Sequence, residues 1–274
     1  MIKKFIKNYL YSKVNFKFFV KNYTDLKDLK TISYAMKSMR HRLIIEPYEN
    51  KRLLKGNTII FAPHPDDEII GAGGTILKLI KDITKIHCIY FSSTNETSKE
   101  LKKVTNSLKF STTELGLTAN NFTINDEILN VISDQINLYK PKRIFLPFIF
   151  DDHDDHRRVS QIFMELFNKK KIYKKNFEIW CYQIYTFFPT NVYVDITKHI
   201  KKKIYYLKKY KSQVRRKNFV QLVLSMNGYN SRFINVNKET YLENFFTLPS
   251  NEYVNLCKKY FKTPKNCYYN KKYF

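Results

Sequence analysis

Three short runs limit what this chain can fold into. Thr58-Ile59-Ile60-Phe61, Ile86-His87-Cys88-Ile89-Tyr90-Phe91 and Arg143-Ile144-Phe145-Leu146-Pro147-Phe148 are largely apolar and of strand length. Runs of this kind read as strands buried on both faces, as in parallel sheets. Each leads into a polar stretch and then a segment with helical spacing. The alternation predicts an α/β, Rossmann-like, doubly wound and mostly parallel sheet with helices on both faces. In such sheets ligands bind at the C-terminal edge of the strands.

The remaining elements follow from local pattern. Residues 96–115 read as a helix stopped by Leu115-Gly116. Asn125 or Asp126 caps a helix with an inner face of Ile128, Leu129, Ile132, Ile136 and Leu138. Another helix runs from about Arg157 with Val159, Ile162, Phe163, Leu166 and Phe167 inward. Residues 179–185 and 192–196 read as strands, 198–217 as lysine-rich helix, and Tyr241–Phe246 as a short helix. Met36 and Met39 fall in a short helical pattern near the N-terminus. The expected division is a basic N-terminal extension at 1–56, a domain at 57–248, and a basic tail at 249–274.

The chain has 274 residues and a formal net charge of +25. That charge fits an acidic partner such as nucleic acid, an anionic membrane or a phosphorylated substrate. It equally fits the codon bias of an AT-rich genome, since Lys, Asn, Ile, Tyr and Phe abound while Gly, Pro, Ala and Trp are scarce. Cys88, Cys181, Cys257 and Cys267 show no Cys-x-x-Cys spacing, and Cys88 and Cys181 sit in strand-like runs as buried thiols. A reducing compartment is expected. Lys7, Lys13, Lys17 and Lys21 interrupt the apolar N-terminal stretch, which argues against a signal peptide. No run is long enough to span a bilayer. The expected location is cytoplasmic, with the basic, aromatic N-terminus able to rest on an anionic membrane face or to pack on the domain.

Chemistry concentrates at two strand ends. Ala62-Pro63-His64-Pro65-Asp66-Asp67-Glu68 follows the first apolar run, and Asp151-Asp152-His153-Asp154-Asp155-His156 follows the third. A catalytic zinc site takes three imidazole or carboxylate ligands and keeps one position open. His64 and Asp67 are spaced to face one point, and either His156 or His153 can complete the set if the two strand ends lie side by side. Three of the six histidines fall in these clusters; His41, His87 and His199 stand alone. Taken singly, each cluster also reads as a helix-capping acidic turn, with Asp66 as one cap.

Pro63-His64-Pro65-Asp66-Asp67-Glu68 with Gly71-Ala72-Gly73-Gly74-Thr75-Ile76, and His153-Asp154-Asp155-His156 followed by Val159, resemble the two motifs of the PIG-L/LmbE-like zinc-dependent N-deacetylases. Val194-Asp195-Ile196-Thr197, Lys203 to Tyr210 with Ser212-Gln213, and Tyr241-Leu242-Glu243-Asn244-Phe245 resemble later segments, so the likeness spans about 57–248. The resemblance implies a zinc-dependent amide hydrolase that removes an N-acetyl group from an amino sugar in a glycan or glycolipid precursor, with a phosphate- or lipid-linked carrier among the options. It implies Zn2+ on His64, Asp67 and His156, Asp66 as general base, His153 at the oxyanion, and Asp155 orienting a histidine. Gly71, Gly73 and Gly74 are expected to permit tight turning and close packing. Two departures stand out: Val104 and Ser107 occupy the places where family members carry an arginine and a glutamate near the pocket. Two other functions stay open, a catalytically inactive glycan-binding member of the fold and a basic nucleic-acid-binding protein, although no recognisable nucleic-acid-binding motif supports the latter.

Overall fold

The computed structural model of the protein describes residues 47–262, apart from 52–54, 82–84, 170–171 and 173–175. The N-terminal segment, including His41 and the short helix expected around Met36 and Met39, and the end of the tail with Cys267 lie outside the described residues.

The first half alternates strand and helix: β1 (Tyr48–Glu49), β2 (Thr58–Ala62), α1 (Asp67–Lys81), β3 (Ile86–Tyr90), α2 (Asn95–Leu108), β4 (Ser111–Glu114), α3 (Asp126–Tyr139), β5 (Arg143–Pro147) and α4 (Asp154–Asn168). The second half holds β6 (Glu178–Tyr182), β7 (Val192–Asp195), α5 (Ile200–Leu207), α6 (Lys211–Arg216), α7 (Phe219–Asn230), β8 (Leu242–Pro249) and α8 (Ser250–Tyr260). The eight strands form one sheet in the order β1-β7-β8-β6-β5-β2-β3-β4. Strand β8 runs antiparallel to both β6 and β7, and the other pairs are parallel. The expected mostly parallel α/β sheet is therefore present, and ordered structure reaches beyond 57–248 on both sides, through β1 and α8.

The apolar runs form strands because both sheet faces are covered. Ile59, Phe61, Ile144 and Leu146 point into one core with α3, α4 and α8. Ile60, Ala62 and Phe145 point into the other with α1, α2, α5 and α7. Burying side chains of this size stabilises by roughly 1.5–3 kcal/mol each. Cys88, Cys181 and Cys257 are buried free thiols.

Four local expectations are corrected. Residues 96–115 are not one helix: α2 closes at Leu108, Lys109 takes a left-handed φ of 56°, and β4 follows. Strand β4 is a partly exposed edge strand of sequence Ser-Thr-Thr-Glu, so it carries no apolar run to announce it. Tyr241–Phe246 is not a helix but the start of the buried strand β8. Leu138 is 71% exposed, although Ile128, Leu129, Ile132 and Ile136 are buried as expected. The three glycines lie inside α1 with ordinary backbone, so they do not turn the chain. They serve close packing instead: a methyl on Gly71 would sit 2.2 Å from the Tyr182 ring, and one on Gly74 would sit 2.5 Å from Ile196.

His87 is a packed residue. Its Nδ1 lies 2.9 Å from Ser111 Oγ and its Nε2 3.0 Å from Thr113 Oγ1, with the Tyr139 ring stacked 4.4 Å away. Burial pulls its pKa from 6.5 down to about 4. Below pH 6.5 the unfolded chain gains a proton that folded His87 refuses. Its contribution is therefore fully present above that pH and lost as pH falls through about 4. The loss is on the order of 3 kcal/mol. Urea unfolding at neutral and at mildly acid pH should show a smaller acid loss in His87→Gln than in wild type. Equal losses in the two proteins would remove His87 from the acid response.

Candidate metal centre

Strands β2 and β5 are parallel neighbours, with Thr58 opposite Arg143 and Ile60 opposite Phe145. The chain leaving each C-terminal end therefore enters the same space. The β2–α1 turn brings His64, Asp66 and Asp67, and the β5–α4 turn brings Asp151, His153, Asp155 and His156.

His64, Asp67 and His156 converge, with one ligand atom from each within 4.8 Å of the others. Asp67 Oδ2 lies 3.2 Å from His64 Nδ1 and 3.4 Å from His156 Nε2. Tetrahedral zinc with bonds of about 2.0–2.2 Å would set ligand edges of about 3.3–3.6 Å. The opposite nitrogen of each ring faces a carboxylate. His64 Nε2 is 2.8 Å from Asp155 Oδ2, and His156 Nδ1 is 2.9 Å from Asp151 Oδ1. These carboxylates orient the rings and leave His64 Nδ1 and His156 Nε2 to face Asp67. Lone pairs aimed at one carboxylate oxygen require a cation, either a proton or a metal ion. Neither nitrogen of buried His156 makes a well-aligned hydrogen bond. The donor set thus fits a zinc ion.

A second grouping, His64, His153 and Asp155, also lies close enough to hold a cation. Its donors are already engaged. Asp155 Oδ2 accepts from the Asn120 amide at 2.8 Å, and His153 Nδ1 accepts from the Asp155 amide at 3.1 Å as the cap of α4. Because His153 Nδ1 accepts, its neutral ring carries the proton on Nε2.

The two adjacent aspartates have opposite electrostatics. Burial raises Asp67, but His156 and His64 outweigh it and hold its carboxyl well below the usual range. Burial also raises Asp66, and there Asp67 and Glu68 push the same way, so its carboxyl lies well above that range. Burial lowers His156, yet Asp67 and Asp151 outweigh burial and hold it at about 10. His153 is lowered by burial and by neighbouring His156 and His64. Asp67 is thus held ionised beside the imidazoles, and a cation bound there would offset the repulsion that raises Asp66. Asp66 also has φ of 122°, a conformation that is costly for a residue with a side chain. Its carboxylate makes no hydrogen bond to α1 among the described residues, so the expected side-chain cap is not formed there. Its carbonyl accepts from Ile69 and Ile70 instead.

His64, Asp66, Asp67 and His153 line a cleft of about 550 Å3, walled by Ser92–Thr94, Gly116–Asn120, Tyr185, Gln213, Arg216 and Phe219, with His156 buried behind it. Tyr185 stacks on His156 with ring centres 5.6 Å apart. Val104 and Ser107 do not reach the cleft: Val104 is fully buried in the core, and Ser107 bonds the Lys103 carbonyl. An arginine arrives from elsewhere, as Arg216 at the end of α6. The sequence reading also assigned no part to Asp151, Asn120 or Tyr185. Asp151 alone had a signal, its place at the head of the second cluster.

Residues 59–167 match the family model described as PIG-L, GlcNAc-PI de-N-acetylase. That stretch is similar to the PIG-L family over its length. Both strand-end clusters lie within it. Solved structures share the fold of this stretch and its flanks. N,N'-diacetylchitobiose deacetylase from Pyrococcus horikoshii is 20% identical, with a TM-score of 0.61 over 72% of this chain and 85% of that one. A conserved protein from Thermus thermophilus is 21% identical, with a TM-score of 0.60 over 70% and 94%. The 4-carboxy-2-hydroxymuconate hydratase from Pseudomonas putida is 14% identical, with a TM-score of 0.59 over 70% and 96%. A deacetylase and a hydratase on one scaffold mean that the fold alone does not choose the reaction. Among the described residues, no helix is long and apolar enough to cross a membrane.

Proposed function

We propose that the protein is a zinc-dependent N-deacetylase of an amino sugar. The observation that carries this reading is the convergence of His64, Asp67 and His156 beside the Asp66 carboxylate, which has no hydrogen-bond partner among the described residues, within the stretch that matches the PIG-L family. Zinc held by those three residues would supply Lewis acidity, acidifying water and polarising an acyl carbonyl. Asp66 takes the proton from the attacking water and returns it to the leaving nitrogen as the C–N bond breaks, giving acetate and a free amine. His153 offers its Nε2–H to the acyl oxygen as negative charge develops there. Asp155 and Asp151 hold His64 and His156 in orientation. Arg216 on the rim offers a cation to a phosphate-bearing carrier, which agrees with the net charge of +25. The body of the domain is proposed to be residues 57–248, completed by β1 on one side and α8 on the other, with a place in the cytoplasm or on an anionic membrane face.

The test is turnover of a panel of N-acetylated amino sugars, free, phosphate-linked and lipid-linked, with release of acetate as readout. Chelation should reduce activity to background, and added Zn2+ should restore it. Full activity in protein shown to be metal-free would refute zinc dependence. Metal-loaded protein that binds the sugars without releasing acetate would favour the inactive glycan-binding alternative.

A further inference from the structure

The glutamate that closes the first motif has no part in the scheme above, yet it is placed at considerable cost. Glu68 is fully buried on the first turn of α1. Its Oε2 accepts the Asp66 amide at 3.1 Å. Its Oε1 accepts the hydroxyl of Tyr210, which lies 142 residues further along the chain. Tyr210 is itself fully buried, with its hydroxyl 3.5 Å from that of Tyr90. A helix cap stabilises by much less than burying a carboxylate costs. As a cap alone, Glu68 is a poor stabiliser, and an exposed glutamate would cap at less expense. What it does hold is the amide of the residue with φ of 122°.

We propose that Glu68 is a positioning residue: braced by Tyr210, it fixes the Asp66 amide and the strained backbone there, and so sets the direction of the Asp66 carboxylate. Asp67, the next residue, faces the two histidines, with its Oδ2 3.2 Å from His64 Nδ1 and 3.4 Å from His156 Nε2. One clamp thus separates two adjacent carboxylates into a proton carrier and a metal ligand. The inference rests on the reading of Asp66 as the proton carrier.

The experiment uses full-length, zinc-loaded protein and N-acetylglucosamine glycosides that the wild type turns over. Glu68→Ala should lower kcat about 10–100-fold, with KM and zinc affinity unchanged. Glu68→Gln keeps an acceptor for the amide and should recover to within about threefold of wild type, and Tyr210→Phe should lose several-fold. In an Asp66→Asn background Glu68→Ala should cost nothing more, because both act through one carboxylate. An equal loss in both backgrounds, or a shift in KM or zinc affinity with kcat unmoved, would overturn the proposal. The contact also has a readout independent of turnover. Hydrogen exchange of the Asp66 amide, followed by NMR, should quicken at least about tenfold in Glu68→Ala and hold in Glu68→Gln. Unchanged exchange in Glu68→Ala would refute the clamp. Should no wild-type turnover be found, the deacetylase reading fails by itself and the exchange measurement still decides the clamp.

Discussion

Asp66→Asn should lower kcat on an N-acetylated amino sugar by about 10²–10⁴-fold, the usual worth of a positioned proton carrier. Zinc content should be unchanged, because His64, Asp67 and His156 keep their contacts. The fold should also be intact, since the carboxylate makes no hydrogen bond to α1 among the described residues and burial already disfavours its charge. The contrast is Asp67→Asn. There the loss of a charge facing both imidazoles should release zinc as well as activity. Metal analysis together with kcat separates the two adjacent positions. An Asp66→Asn enzyme with full turnover would end the proposed division of labour.

Lys203→Ala should destabilise the protein by about 3–5 kcal/mol, the range for breaking a buried ion pair from one side. Lys203 and Glu243 are each 1% exposed, with Nζ 2.7 Å from Oε1. The lysine also donates to the Ile70 carbonyl at 2.8 Å and to Asn227 Oδ1 at 2.9 Å. Glu243 accepts the Gly74 and Thr75 amides at 2.8 and 2.7 Å. The pair therefore grips the middle of α1, the helix that begins at Asp67. Removing the lysine strands a charged glutamate in the core. Lys203→Met combined with Glu243→Leu removes both charges and should recover much of the loss. Urea midpoints of the three variants test this, and a cost below about 1 kcal/mol for Lys203→Ala would mean that the network adds little.

The later segments that resemble the family thus have a structural meaning. Lys203 and Glu243 hold α1, Tyr210 holds Glu68, and Ser212 holds Glu100 of α2 through its amide at 3.0 Å and its hydroxyl at 2.6 Å. None of these links can be read from spacing, because each joins residues distant in the chain. The same reason explains why the start of β8 resembles a helix in sequence. Its opening residues include Glu243 and Asn244, which look solvent-facing in sequence but are buried at 1% and 3% exposure. Partners from α1 and α5 make that burial of Glu243 tolerable.

By itself the sequence determined the strands whose every residue is buried, because largely apolar runs of that length are stable only with both faces covered. It also determined that histidine and aspartate stand at the ends of β2 and β5. It left open whether His153 or His156 joins His64 and Asp67, and it could not see which carboxylate faces which ring. Tertiary structure decided those points through the pairing of β2 with β5 and the start of α4 at Asp154. That start makes His153 the cap, with its Nδ1 taken by a backbone amide, and turns His156 inward to 3.4 Å from Asp67. The physical reason is range: burial is written into each residue's chemistry, whereas the direction of a side chain depends on neighbours that only folding supplies.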